Sequence, residues 1–144
     1  MADAAPPTPS RPPSLPLILA RELASNLATP MFVLNQDGLL VYFNDAAERI
    51  IGKPFAEIGM VDAMEFGKLL DLTDLDGNPI SRPDSPSGIA FFRRRPSHQV
   101  LLATGFDGVR RTVQATAYPL FGTTEELHGV VTVFWEGTPG DEAE

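Results

Sequence analysis

Cysteine is absent from the 144-residue chain, and histidine occurs only twice and tryptophan once. Without cysteine there is no disulfide, no thiolate nucleophile and no cysteine-bound metal, and the cytoplasm is the default compartment. His98 and His128 stand too far apart in sequence to share a zinc or iron motif, so no metal is expected. Long apolar runs are also missing. Leu15–Ala20 falls well short of the roughly 20 residues of a membrane helix, and no small-residue cleavage site follows it at Arg21-Glu22. No membrane partner is expected. Positive charge is scarce: 11 Lys and Arg against 19 Asp and Glu leave a net charge of −8. That balance argues against a general nucleic-acid surface, which needs a positive field.

Catalytic patterns are missing too. There is no Gly-x-Ser-x-Gly, and Ser85, Ser87 and Ser97 lie near prolines in loop-like sequence. Gly105–Gly108 lacks the Lys-Ser/Thr of a phosphate loop. Asp71, Asp74 and Asp76 lack the closing glutamate of a calcium loop. The chain reads as a binding module and not as an enzyme.

What is present suits one soluble domain, with 43% apolar and 21% charged residues. Pro6, Pro7, Pro9, Pro12, Pro13 and Pro16 crowd the start, so residues 1–13 read as a disordered tail. Residues 137–144 are small, acidic and broken by Pro139-Gly140, a second disordered tail. The folded unit is 14–136. Arg93-Arg94-Arg95 read as a solvated helix end.

Ser14 caps a first helix in which Leu15, Leu19, Leu23 and Leu27 recur every fourth residue. That stripe must bury against this domain or a partner. Met31–Leu34 and Leu39–Phe43 form a hairpin across Asn35-Gln36-Asp37-Gly38, where Gly38 accepts the backbone twist of a tight turn. Asn44 caps a short helix ending at Gly52. Phe55–Leu72 reads as short helical turns interrupted at Gly59 and Gly67. Ser87–Arg94 is helical by spacing. Strands follow at Gln99–Thr104, Val109–Tyr118 and Gly129–Trp135. Val113, Ala115 and Ala117 alternate with polar residues, whereas the last strand is apolar on both faces. The order predicts an α+β domain: a five-stranded antiparallel sheet, short helices on one face, and the N-terminal amphipathic helix covering part of the other.

Over about Leu23–Glu136 the sequence resembles the PAS domain family. The likeness is carried by the Asp37-Gly38 hairpin, by Tyr42-Phe43-Asn44-Asp45-Ala46-Ala47-Glu48-Arg49-Ile50-Ile51-Gly52, by Asp76-Gly77-Asn78-Pro79-Ile80, and by the segments Val113–Leu120 and Gly129–Phe134. The resemblance implies strand order 2-1-5-4-3 and a pocket between sheet and helices. It places Val33, Phe43, Ala47, Ile50, Ile51, Met64, Phe66, Ile89, Phe92, Leu101, Val113, Ala115, Val131 and Val133 around that pocket. Asn44, Gly38 and Gly52 are the structural positions.

The family's members sense ligands, bind haem or flavin, or dimerise, and fold alone does not choose among these. Cysteine-dependent flavin photochemistry is excluded, and neither histidine sits where the family's haem ligands do, so no cofactor is expected. The first expectation is a signalling or regulatory module acting by association. It takes the form of a homodimer through Leu15, Leu19, Leu23, Leu27, Val130, Phe134 and Trp135, or binds an unidentified signalling partner. Glu136-Gly137-Thr138 stands where many members enter an output domain, so output in trans is expected. The alternatives are a sensor with a small apolar, fatty-acid-like ligand or a haem in the core, and, last, a small α+β enzyme.

Overall fold

The computed structural model describes residues 14–137; the expected tails, 1–13 and the stretch from residue 138, lie outside the described residues. Helix α1 (Leu15–Ser25) begins where expected, with Pro16 in its first turn and the Ser14 hydroxyl accepting from the Leu17 amide. Strands β1 (Met31–Asn35) and β2 (Leu39–Phe43) form the hairpin. At its turn the Asn35 side chain accepts from the Asp37 and Leu39 amides, and Gly38 takes φ 81°.

Asn44 closes the hairpin and opens α2 (Asp45–Ile51). Its side chain is 2% exposed and fully used. Oδ1 accepts from the Met31 and Ala47 amides, while Nδ2 donates to the carbonyls of Ala24, Leu27 and Thr29. One amide thereby ties the exit of α1, the start of β1 and the start of α2. Helix α2 stops at Gly52, with φ 93°, where a Cβ would sit 2.9 Å from the backbone nitrogens of Phe106 and Asp107. Only glycine fits there.

Helix α3 (Phe55–Ile58) ends at Gly59, as the sequence suggests, but two details differ from expectation. Val61–Asp62 adds a short strand, β3, on the edge of β2. Gly67 does not interrupt: α4 (Ala63–Leu69) runs through it. A 3₁₀ turn (Arg82–Asp84) leads into α5 (Pro86–Arg93), whose cap is the Ser85 hydroxyl accepting from the Gly88 amide. Strands β4 (Ser97–Thr104), β5 (Arg110–Phe121) and β6 (Leu127–Glu136) complete a six-stranded antiparallel sheet, ordered β3-β2-β1-β6-β5-β4. Without the two-residue β3 this is the expected order.

The sheet separates two cores. On one face α2–α5 cover Leu34, Leu40, Phe43, Leu101, Val113, Ala115, Val130 and Phe134. On the other, α1 covers Met31, Val33, Val41 and Val131. A bulge lets one short strand serve both: β2 pairs Tyr42 with Val33 and Leu40 with Leu34, leaving Val41 over. Leu40 and Phe43 therefore share the inner face, while Val41 and Tyr42 share the outer one.

Helix α1 is turned differently from the leucine reading. It packs through Leu17, Ala20 and Ala24, all buried. Burying Leu17 contributes about 2 kcal/mol, and the two alanines let the helix lie close to the sheet. Leu15, Leu19, Leu23 and Leu27 point outward, at 66%, 57%, 55% and 38% exposure.

Candidate functional site

The inner face of the sheet does not meet its helices everywhere. Between them lies a cavity of about 490 Å³, within the roughly 300–1,000 Å³ of small-molecule sites. Its floor is sheet: Phe32 and Leu34 from β1, Leu101 and Ala103 from β4, Val113 and Ala115 from β5, Thr132 and Phe134 from β6. Ile50 and Ile51 of α2 close one end, α4 supplies Met64, Phe66, Gly67 and Leu70, and α5 supplies Pro86, Ser87, Gly88 and Phe91. Small side chains make the room. Ala103, Ala115, Gly67 and Gly88 stand where larger residues would fill the space, and Pro79, Ile80 and Pro83 form the remaining wall.

Phenylalanines hold that space open on the β1 side. Phe32 meets Phe66 edge-on at 5.5 Å between centroids and Phe134 at 5.8 Å, while Phe43 backs Phe66 at 6.2 Å and meets Phe55 at 5.5 Å. Such pairs stiffen a wall beyond their burial alone. Arg110 fastens the segment after α4. It bonds the Asp71 carbonyl at 3.0 Å and the hydroxyls of Thr73 and Thr104 at 2.6 and 2.7 Å, and its guanidinium lies 3.5 Å from the Asp71 carboxylate. Arg111 works beside it. It pairs with Asp107 at 2.8 Å, reaches Glu136 at the exit of β6 at 3.5 Å, and donates to the Ile50 carbonyl at 3.4 Å. Hydrogen bonds from Arg111 and from the Val109 amide, with the Arg111 charge, hold the Asp107 carboxyl down to about 2.

Of the residues expected around the pocket, Ile50, Ile51, Met64, Phe66, Leu101, Val113 and Ala115 line it. Phe43 and Ala47 belong to the same core one layer back. Val33, Val131 and Val133 are corrections: they lie on the outer face under α1. The strands β1 and β6 are apolar on both faces, and a shift of one residue exchanges the faces. Val130 and Phe134, expected at an interface, are for the same reason buried in the inner core. Phe92 is also corrected. It is 53% exposed, and its neighbour Phe91 lines the cavity instead. Ile89 is half-buried and outside the lining, as is Trp135, whose ring lies 5.9 Å from His98 on the outer face.

The sequence reading missed Thr132, Ser87, Arg110 and the Pro79–Gly88 wall. The alternation of Thr132 with Val131 and Val133 was the available signal for the first.

His98 is exposed on β4 with Nδ1 2.6 Å from the Thr116 hydroxyl, and His128 is on β6 beside Gly122; neither lines the cavity. Among the described residues no group of His, Asp and Glu is placed to hold a metal ion, and no helix is long and apolar enough to cross a membrane.

Comparison with known proteins agrees with this architecture. A family model described as the PAS fold matches residues 19–58. The PAS domain of BvgS from Bordetella pertussis superposes with TM-score 0.57 at 18% identity, covering 85% of each chain. A PAS domain from Colwellia psychrerythraea gives 0.61 at 13%, over 85% of this chain and 97% of that one. The LOV protein of Rhodobacter sphaeroides gives 0.69 at 13%, over 91% and 72%. No curated protein matches the sequence. These likenesses show an α+β fold of the PAS type. More narrowly, residues 19–58 are the part that the PAS family model matches.

Proposed function

We propose that this chain is a PAS domain acting as a non-catalytic sensor, which takes a small, mainly apolar molecule into the cavity beneath α4 and α5. The cavity itself carries the reading: about 490 Å³ with walls of phenylalanine, leucine, isoleucine, alanine and glycine, whereas ordinary cores are packed to crystal-like density with few voids larger than a water. The expected fatty-acid-like ligand is one member of this class. Mass spectrometry of gently purified native protein is expected to show a co-purifying small molecule, or thermal stabilisation by an apolar probe. A protein that carries none and responds to none would overturn the reading.

A second reading is favoured by α1. Its leucines 15, 19 and 23, with Ile18, are exposed on a helix whose other face is already buried. An apolar helix surface of this kind is suited to a second copy of the chain or to a signalling partner. Sedimentation at tens of micromolar is expected to show a dimer that Leu19→Glu with Leu23→Glu dissociates. A monomeric wild type would sink the homodimer.

A further inference from the structure

Cavity walls that only needed to be apolar would have valine where Thr132 stands. Thr132 is on the inner face of β6, between Val130 and Phe134, and is 1% exposed. Burying a hydroxyl is unfavourable unless it is bonded. Its partner comes from the opposite wall: Ser87 on α5, with the two oxygens 2.9 Å apart. Both residues line the cavity. Two hydroxyls carry two donor hydrogens, and the bond between them uses one. Among the described residues neither oxygen has another partner, so one O–H is left to point elsewhere, and the space they share is the cavity.

The other polar groups of the lining are otherwise engaged. The Ser85 oxygen accepts from the Gly88 amide, and Ser81 donates to the Asp84 carboxylate. The charges are at the rim. The Lys68 side chain is 67% exposed and lies 3.7 Å from Glu65, and that of Asp71 is 76% exposed beside Arg110. An ionised group carried to the floor would find no countercharge there, and its desolvation would oppose binding.

We infer that the Ser87–Thr132 pair is the specificity handle of this cavity. Its ligand is an uncharged, mainly apolar molecule whose buried end carries a hydrogen-bond acceptor such as a ketone oxygen. This rests on the cavity being a ligand site, and the test separates the two claims. Purified protein is titrated with a series of methyl alkyl ketones, the n-alkanes of matching length, and the matching alkanoates. Binding is read by headspace depletion for the volatile probes and by calorimetry for the alkanoates.

Ketones are expected to bind about tenfold more tightly than alkanes, the worth of one hydrogen bond inside a protein. The double variant Ser87→Ala with Thr132→Val removes both partners with little change of shape, so it is expected to fold while reducing that ratio to about one. Ser87→Ala alone keeps the Thr132 hydroxyl and retains the preference. Equal binding of ketones and alkanes by the wild type would remove the handle and leave the cavity reading standing. Alkanoates binding tightest, and weakened by Lys68→Ala, would overturn the uncharged ligand in favour of an anion read at the rim. If no class binds at any length, the cavity reading falls and the handle with it.

Discussion

The two faces of this sheet are built from alternate residues of the same strands, yet one is closed and the other is not. On the outer face Val33 is fully buried, and Leu17, Ala20 and Ala24 of α1 lie directly on it. On the inner face four helices and a proline-rich wall stand off from Ala103 and Ala115 and leave a space. The closed face uses small residues on the helix, so the helix approaches. On the open face they stand on the sheet and in the helices, at Gly67 and Gly88, and aromatic side chains prevent collapse. What a small residue does depends on whether something rigid holds its neighbour away.

Removing what joins the two faces is expected to have the largest effect. Asn44→Ala leaves the Met31 and Ala47 amides and the Ala24 and Thr29 carbonyls short of a partner. A loss of about 3–5 kcal/mol in denaturant unfolding is expected from breaking such a buried network. A loss below about 1 kcal/mol would show that water substitutes for the side chain.

The comparison itself is tested by adding the same side chain to each face. Ala24→Leu forces atoms into the closed face and should cost about 1–3 kcal/mol. Ala115→Leu grows into the cavity and should cost less than about 1 kcal/mol, or stabilise, while blocking apolar probes. Equal costs would mean that the inner face is as tightly filled as the outer.

Exposed leucines should be almost silent in folding. Leu19→Glu with Leu23→Glu is expected to move monomer stability by no more than about 0.5 kcal/mol per site. A larger loss would place those leucines in the fold rather than at a contact surface.

The smallest effect concerns acid. Asp107 titrates near 2 when folded, below the ordinary 3.8. The stability it contributes is therefore present above about 4 and is lost as pH falls toward 2. Asp107→Asn should flatten the unfolding profile in that window only, as read by circular dichroism.

Much of the fold was legible because its punctuation is chemical. Gly38, Asn44 and Gly52 each do a job that few other residues can do, and they stand at the expected turns and cap. β5 was also legible, because Val113, Ala115 and Ala117 alternate with polar residues. The phase of β1 and β6 was not. Met31–Leu34 is uninterrupted apolar sequence, and Val130–Trp135 carries a single threonine as a marker. The helix misled for a related reason: its large residues face solvent while its small ones pack. The cavity depended on segments with no periodicity, Pro79–Pro83 above all, and on a hydroxyl pair that meets across 45 residues of sequence.

β6 has one further consequence. Thr132 looks into the cavity, while Val131 and Val133 lie under α1. The partition between the two compartments is therefore a single backbone, clamped on both sides by β1 and β5. It is pinned at its end by Arg111 on Glu136. Such a strand has the form of a diaphragm: it is held at its margins, and any displacement is greatest at the centre, where Thr132 is.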